Sequence, residues 1–101
     1  HSKEQLNKLA RWLRINKTRT CNVYGFTDCR GTQDYNLRLS KNRAQTVRVY
    51  LSYKGISMKR TFNIPMGSTN YVNNCYQDED CTEAEHRENR RCEFQINDIK
   101  E

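Results

Sequence analysis

Apolar side chains recur at helical spacing near the start of the chain. The residues that share one face when 3–15 are drawn as a helix are Leu6, Leu9, Ala10 and Leu13. Polar and charged residues fill most of the remaining positions of this segment. The pattern predicts an amphipathic helix over about 3–15 that buries one face.

A second helical pattern follows Ser40, a residue type suited to cap a helix N-terminus. Ala44, Val47 and Leu51 then fall on one face. Gly55 stands where many helices end on a left-handed residue. We therefore predict a second helix that starts at Ser40 and ends before Gly55.

Three segments have the alternation of a strand with one buried face. These are Thr20–Phe26, Thr61–Met66 and the segment from Cys92 to Ile96. Pro65 cannot donate to a sheet ladder, so we expect the second of these strands at a sheet edge. Residues 67–85 are polar and rich in Asn, without periodicity, and form a long loop for a compact domain.

Composition limits the size of the domain and the chemistry of its partners. With 101 residues the chain is one domain (1–101), and its hydrophobic fraction is only 35%. The net charge of +6 favours anionic partners, such as nucleic acid, acidic glycans, anionic lipid or peptides that carry carboxylates. No apolar run approaches the roughly 20 residues that a membrane-spanning helix needs.

Five cysteines in a small polar domain favour an oxidising compartment, and the odd number leaves at least one thiol outside an internal pair. Cys75 and Cys81 flank the polar loop, and we predict a disulfide between them, worth roughly 2–2.5 kcal/mol on the chain-entropy account. Cys21 and Cys92 lie on apolar strand faces and fit buried thiols; their pairing and that of Cys29 stay open.

A metal site is not expected, because the gaps of five, four and five residues that separate Cys75, Cys81, His86 and Cys92 exceed the usual zinc knuckle. An enzyme is not expected either, since His86 has no obvious nucleophile or acid partner. No cofactor is predicted.

The candidate chemistry lies in two motifs, with Asp28 on a glycine-rich turn and Arg43 fifteen residues later. A carboxylate and a guanidinium placed together can hold a ligand that carries both an ammonium and a carboxylate, as an amino acid does. If Ser40 caps the helix, Arg43 lies in the first turn, where the backbone amides also attract an anion. The simpler alternatives are that Asp28 caps its own turn and that Arg43 is a solvated surface cation.

Four motifs in order resemble the OmpA-like peptidoglycan-binding domain. They are T-D-x-x-G-T, Y-N-x-x-L-S-x-x-R-A-x-x-V-x-x-Y-L, K-G-I and E-H-R-x-N-R-R-x-E-F, within the span Leu6–Ile96. The resemblance implies an α/β sandwich, of α+β type, with helices on a mixed parallel and antiparallel sheet. It also implies binding of the diamino acid of the peptidoglycan stem peptide, usually diaminopimelate, by Asp28 and Arg43.

Further site residues follow from the resemblance. Asn89 and Arg90 lie beside the family's binding pocket, and Arg90 is slightly favoured over Arg91 as the one that braces the site or contacts the ligand. Asn36 is expected to order the loop before the second helix, and Leu39 to line the pocket wall, although both also fit ordinary turn and packing roles.

The turn around Asp28 completes this set and contains two departures from the family pattern. Thr27 and Gly31 belong to the turn motif, and the amides near Gly31 are expected to help to hold the anion. Phe26 replaces the usual His, and Cys29 replaces a small or polar residue. These departures put the fine specificity in question and leave the mode of binding unchanged.

The resemblance also implies a strand before the first helix. Nothing before Ser2 supplies it, so we expect either more chain upstream or a partner chain at that sheet edge. The expected setting is the periplasm of a Gram-negative bacterium, where the domain holds a larger outer-membrane protein or assembly to the cell wall. The alternatives are a basic nucleic-acid-binding module and a protein-interaction domain without a ligand; the cysteines argue against nucleic acid as the partner.

Overall fold

The computed structural model describes residues 3–69, 71–73, 75 and 81–97. The described chain forms helices packed on a mixed sheet, as predicted. Its helices are α1 (Lys3–Ile15), α2 (Gln33–Tyr53) and α3 (Glu83–Asn89), its strands are β1 (Thr20–Phe26), β2 (Thr61–Gly67) and β3 (Cys92–Asn97), and a 3₁₀ turn (Met58–Arg60) precedes β2.

The sheet has the strand order β2-β1-β3, with β1 at its centre. β1 runs parallel to β2 and antiparallel to β3, so that Val23 lies between Asn63 and Phe94. Pro65 lies on the edge strand β2, as expected from its missing N–H, and the ladder shifts register beside it, between Gly25 and Phe26 of β1. Within the described residues β3 forms the other edge of the sheet.

The core lies between the sheet and the helices. Its buried residues come from the predicted apolar faces, namely Leu6, Ala10 and Leu13 of α1, Ala44, Val47 and Leu51 of α2, and Cys21, Val23 and Cys92 of the sheet, together with Ile56. Each fully buried aliphatic side chain contributes roughly 1.5–3 kcal/mol relative to an exposed one. The helical periodicity therefore fixes which face of α1 and α2 meets the sheet.

The prediction that α2 starts at Ser40 is wrong. The N-cap is Thr32, whose hydroxyl accepts a hydrogen bond from the Tyr35 amide at 3.2 Å. Ser40 lies inside the helix, where its hydroxyl donates to the Leu37 carbonyl at 2.8 Å and accepts from the Gly67 amide at 3.1 Å. The helix can start earlier because Gly31 turns the chain with φ 94° just before the cap.

The polar segment that was expected to be a loop contains a helix that the prediction missed. α3 begins with a capping box, in which Thr82 accepts from the Glu85 amide at 3.2 Å and Glu85 accepts from the Thr82 amide at 3.0 Å. The expected disulfide between Cys75 and Cys81 is present, with an S–S distance of 2.07 Å. Residues 70, 74 and 76–80 of this segment lie outside the described residues.

No helix among the residues the structure describes combines the length and the apolar character needed to cross a membrane.

Candidate functional site

The turn after β1 places Asp28 at the end of the sheet, where its side chain is largely buried. The Thr27 amide donates to the Gly67 carbonyl at 2.8 Å, which ties the turn to the end of β2. Thr27 is 1% exposed and Asp28 is 6% exposed. The Asp28 carboxylate accepts the Arg30 amide at 3.0 Å, so this residue does cap its own turn.

Asp28 also belongs to a ring of four charged side chains, which we call the charge ring: Asp28, Arg30, Glu83 and Arg90. Oδ2 of Asp28 lies 2.8 Å from Nη2 of Arg30 and 2.8 Å from Nη1 of Arg90. Both guanidinium groups reach Glu83 at the start of α3 as well. The charge ring therefore links the turn after β1 to both ends of α3, and its formal charges cancel.

The charge ring determines the protonation of Asp28. Burial disfavours the charged carboxylate, but hydrogen bonds from Arg30 and Arg90 outweigh it and lower the pKa of Asp28 to about 2. The hydrogen bond from Arg90 likewise lowers the pKa of the exposed Glu83 carboxyl. Asp28 is therefore anionic over the whole physiological pH range.

Arg43 reaches the same turn from the other side. It is half-buried and lies well inside α2 rather than in its first turn, so the expected help from helix N-terminal amides does not apply to it. Its Nη1 donates to the Phe26 carbonyl at 2.6 Å, two residues before Asp28. Arg43 thus binds the backbone two residues before Asp28, while the Asp28 carboxylate is held by Arg30 and Arg90, and the two side chains do not pair with each other.

A surface groove of about 490 Å³ opens beside Arg43. It is lined by Leu39, Asn42, Arg43, Thr46, Val47, Arg90 and Arg91. Three of these residues carry a guanidinium and none carries a carboxylate. The groove is therefore suited to an anionic ligand, and Leu39 lines its wall as predicted.

Phe26, which stands where the resembling family has His, supports one of these arginines. The guanidinium carbon of Arg91 lies 3.9 Å from the centre of the Phe26 ring, within cation–π range. Arg91 also pairs with Glu93 at 2.6 Å. The aromatic ring thus fixes Arg91 at the rim of the groove.

Gly31 and Asn36 form a second polar element next to the turn. A Cβ added at Gly31 would lie 3.4 Å from Oδ1 of Asn36, so the Asn36 side chain lies next to the turn. Asn36 lies in the first turn of α2 and not in a loop before it, contrary to the expectation, because the helix starts after Thr32. It is 2% exposed, and its Nδ2 has no hydrogen-bond partner among the described residues. A buried amide donor without a partner costs about 1–3 kcal/mol, so Asn36 is a candidate for a ligand contact at the turn, although it is not one of the residues that line the groove.

Asn89 is held by protein groups and does not line the groove. It is fully buried, its Oδ1 accepts the Val72 amide at 2.9 Å, and its Nδ2 donates to Asn73 at 3.1 Å. These bonds fasten the chain before α3 to the helix end that carries Arg90. Asn89 therefore supports the position of Arg90.

Four residues of this region were not predicted from the sequence. Arg30 and Glu83 complete the charge ring, and Asn42 and Thr46 line the groove. The T-x-x-E pattern at Thr82 signals the helix start that places Glu83, so that part was available in the sequence. The partners of Asp28 had no comparable local signal.

A cluster of sulfur and imidazole groups lies beside the turn. The ligand atoms of Cys29, Cys75 and His86 lie within 4.8 Å of one another, and Sγ of Cys75 is 3.6 Å from Nδ1 of His86. Cys75 is bonded to Cys81, however, and a disulfide sulfur is not the thiolate that binds metals. In this oxidised state the cluster does not offer a three-ligand metal site.

Sequence comparison decides the family. A profile described as "OmpA family" matches residues 1–89. The chain belongs to the OmpA family. A protein named peptidoglycan-associated lipoprotein from Buchnera aphidicola is 36% identical over 69 residues, which cover 68% of this chain and 40% of that protein. The protein of the same name from Legionella pneumophila is 32% identical over 89 residues, or 88% of this chain and 48% of that protein.

Solved structures agree with this family assignment. The peptidoglycan-associated lipoprotein from Burkholderia pseudomallei superposes with a TM-score of 0.78 at 30% identity and covers 91% of this chain and 74% of that one. The C-terminal domain of Helicobacter pylori MotB superposes with a TM-score of 0.75 at 24% identity, over 93% of this chain and 70% of that one, and supports the fold alone. This OmpA-family chain spans less than half the length of the curated relatives described above.

Proposed function

We propose that this OmpA-family domain binds peptidoglycan without catalysis, through the diamino acid of the stem peptide. The observation that carries the proposal is that Asp28 and Arg43 flank the Phe26–Asp28 segment, with the arginine-lined groove beside them. The names of the relatives from Buchnera, Legionella and Burkholderia support the same class of ligand. Diaminopimelate, with its ammonium and carboxylate groups, is the proposed contact.

In this proposal Arg43 holds a carboxylate of the diamino acid. A guanidinium has five N–H donors, and the bond to the Phe26 carbonyl occupies one of its nitrogens. The remaining edge can form a bidentate pair with a carboxylate, and the Phe26 bond fixes its direction. Arg90 and Arg91 also line the groove and offer further N–H donors to carboxylates of the stem peptide, while Arg90 shares its charge with the carboxylates of the charge ring and Arg91 with Glu93.

Asp28 is proposed to hold the ammonium group. An ionised carboxylate has about four acceptor positions, and the three bonds from Arg30 and Arg90 leave one on Oδ1. Arg30 is the more exposed partner, since its side chain is 40% exposed against 23% for Arg90. The ammonium would therefore use the remaining position or displace the guanidinium of Arg30, while Arg90 keeps Asp28 in place.

A binding role fits the acid chemistry of the site better than a catalytic one. A carboxyl group with a pKa of about 2 has no proton to donate near neutral pH, and two guanidinium groups weaken it as a base. We propose that the domain anchors a larger outer-membrane or periplasmic protein to the cell wall of a Gram-negative bacterium. The disulfide is consistent with that oxidising compartment.

The proposal is tested by co-sedimentation of the domain with purified peptidoglycan. We expect binding that free diaminopimelate or a muropeptide containing it competes away, and that lysine, which lacks the second carboxylate, competes more weakly. Binding to single-stranded DNA without competition by the diamino acid would support the nucleic-acid alternative and contradict this proposal.

A further inference from the structure

Cys29 has an unusual position, because it lies on the charge-ring turn between Asp28 and Arg30 and faces a disulfide. Its sulfur is within 4.8 Å of Sγ of Cys75, the buried partner of the Cys75–Cys81 bond. Cys29 itself is partly exposed. A third thiol this close to a disulfide is placed for exchange.

We propose that Cys29, Cys75 and Cys81 form a thiol–disulfide exchange site, in which the bond moves between Cys75–Cys81 and Cys29–Cys75. The Cys29 thiolate attacks Sγ of Cys75, the Cys29–Cys75 bond forms, and the Cys75–Cys81 bond breaks. The electron pair leaves on Sγ of Cys81, which takes up the proton that Cys29 lost. The step is an isomerisation and consumes neither an oxidant nor a reductant.

The two ends of the disulfide differ in a way that favours attack on Cys75. Cys75 is 1% exposed and belongs to the cluster with Cys29 and His86, whereas Cys81 is partly exposed. The leaving thiolate is therefore released towards water, which stabilises its charge. Thiol–disulfide exchange is faster when the leaving thiolate is the more stable one.

His86 lies beside the central sulfur. Its Nδ1 is 3.6 Å from Sγ of Cys75, and its ring is 2% exposed. During exchange negative charge spreads over the three sulfur atoms, and in the tautomer that carries its proton on Nδ1 the imidazole can stabilise that charge. His86 thus belongs to the exchange site through its contact with the sulfur that is attacked.

The other two cysteines are poor competitors. Cys21 and Cys92 are buried in the core, and burial raises the pKa of the Cys21 thiol to about 11 and also raises the pKa of the Cys92 thiol. Little thiolate forms at either residue near neutral pH. They serve as internal controls for any exchange at Cys29.

The exchange would couple the disulfide pairing of the loop to the charge ring. A Cys29–Cys75 bond joins the turn that carries Asp28 to the chain before α3, which carries Glu83. The Cys75–Cys81 bond closes only the short loop before α3. This inference concerns the cysteines alone and holds whichever ligand the groove takes.

The direct test maps disulfides in the wild-type domain. The oxidised protein is incubated in a buffer of reduced and oxidised glutathione at about pH 8, quenched with acid, alkylated and digested without reduction. We expect a Cys29–Cys75 peptide together with alkylated Cys81, at a level at least tenfold above any peptide that contains linked Cys21 or Cys92. Cys81 that stays linked to Cys75 throughout, with Cys29 always alkylated, would overturn the proposal.

A trapping variant gives a second, independent measurement. In Cys81→Ser, mild oxidation by oxidised glutathione is expected to link Cys29 to Cys75, and the matched variant Cys29→Ser is expected to keep Cys75–Cys81. Folding of both is checked by circular dichroism, and the wild-type map decides if Cys81→Ser does not fold. A folded Cys81→Ser protein in which Cys75 pairs with Cys21, pairs with Cys92 or forms only a glutathione adduct would contradict the exchange.

Discussion

Arg90 and Asp28 are 62 residues apart in the sequence, yet Nη1 of Arg90 lies 2.8 Å from Oδ2 of Asp28. The pair joins the end of α3 to the turn after β1. Folding removes water from the Asp28 carboxylate, and the hydrogen bond from Arg90 replaces part of the lost hydration. Asp28 therefore remains ionised although it is buried. The site therefore depends on α3 as much as on the turn.

The first prediction concerns pH and stability. The pKa of Asp28 falls from 3.8 to about 2 on folding, so its stabilising effect is complete above about pH 4.5 and disappears as the pH falls through 2. Allowing for the solvent around the two arginines, we expect about 1–2 kcal/mol. We would measure urea unfolding of the wild type and of Asp28→Asn between about pH 2 and 6. The difference between their unfolding free energies should shrink towards pH 2.

Glu4→Gln is the control for this experiment, since Glu4 is an exposed carboxylate of α1. It should leave the unfolding free energy almost unchanged at every pH. A difference between wild type and Asp28→Asn that does not vary with pH would mean that the ion pairs with Arg30 and Arg90 do not stabilise the fold.

The second prediction concerns the contact that places α2 against the sheet. A Cβ added at Gly25 would lie 2.1 Å from the backbone oxygen of Ser40, and a backbone atom cannot move aside cheaply. Gly25→Ala should therefore lower the unfolding free energy by about 3 kcal/mol or more. Denaturant unfolding measures the loss.

Gly55→Ala is the matched control for Gly25→Ala. Gly55 has φ 94°, and a Cβ there would meet only the Arg14 side chain, at 3.6 Å. The left-handed backbone alone should cost about 1–2 kcal/mol. If both variants lost the same free energy, the close approach of β1 and α2 would not be as tight as the structure has it.

The elements with a strong period were predictable from the sequence. The bounds of α1 and β1 agree with the prediction, and β2 and β3 each extend one residue beyond it. The apolar faces of these elements are buried together, so local pattern and tertiary packing favour the same structure. In these elements the residues that the hydrophobic effect buries recur at regular spacing along the chain, so the sequence is enough to identify them.

The start of α2 and the whole of α3 were not predicted, for different reasons. The first turns of α2 carry the exposed Leu37 and no apolar stripe, and their start is set by Thr32 after a left-handed Gly31. α3 has only seven residues and depends on its capping box and on the bonds of Asn89. Such helices owe their stability to termini and tertiary contacts rather than to periodicity.

Two members of the charge ring, Arg30 and Glu83, could not be predicted from the sequence for a further reason. The resemblance marked Asp28, Arg43 and Arg90, but it did not mark Arg30 as a partner of Asp28, and Glu83 approaches Arg30 and Arg90 only through the packing of α3. Charge pairing between distant segments has no period and no fixed spacing. The sequence therefore pointed to Asp28, Arg43 and Arg90, but not to Arg30 and Glu83, which complete the ion-pair network around Asp28.

The third prediction concerns Asn36. Its buried Nδ2 has no partner among the described residues, so replacing it with Leu removes an unsatisfied donor. We expect the unfolding free energy of Asn36→Leu to stay the same or to rise by up to about 1 kcal/mol. If the amide donates to the bound ligand, muropeptide affinity should fall about three- to tenfold, in line with one hydrogen bond. Calorimetric titration measures the affinity.

Asn63→Leu is the control for Asn36→Leu. Asn63 also has a buried side-chain atom without a partner among the described residues, but it lies on the edge strand β2 and not beside the Gly31 turn. Its replacement should not change muropeptide affinity. A destabilised Asn36→Leu protein with unchanged affinity would assign Asn36 a structural role.

The last prediction tests the proposed hold on the diamino acid. Arg43→Ala and Asp28→Ala each remove a charge-assisted contact, typically worth about 1.5–3 kcal/mol. Each should weaken muropeptide binding by at least tenfold, about 1.4 kcal/mol. Arg43→Lys should restore little, because an ammonium cannot form a bidentate pair with a carboxylate while it also bonds the Phe26 carbonyl. A stem peptide whose diamino acid is amidated should bind more weakly if Arg43 reads that carboxylate.

Arg11→Ala is the matched control for this last test, since Arg11 is an exposed cation of α1 and its loss changes the net charge by the same amount as Arg43→Ala. It separates loss of a specific contact from loss of general attraction to an anionic ligand. Affinity should fall strongly in Arg43→Ala and only slightly in Arg11→Ala, with both proteins folded by circular dichroism. If both variants lost the same affinity, Arg43 would contribute only its positive charge and no specific contact. Unchanged affinity in folded Arg43→Ala and Asp28→Ala proteins would place the ligand elsewhere on the domain.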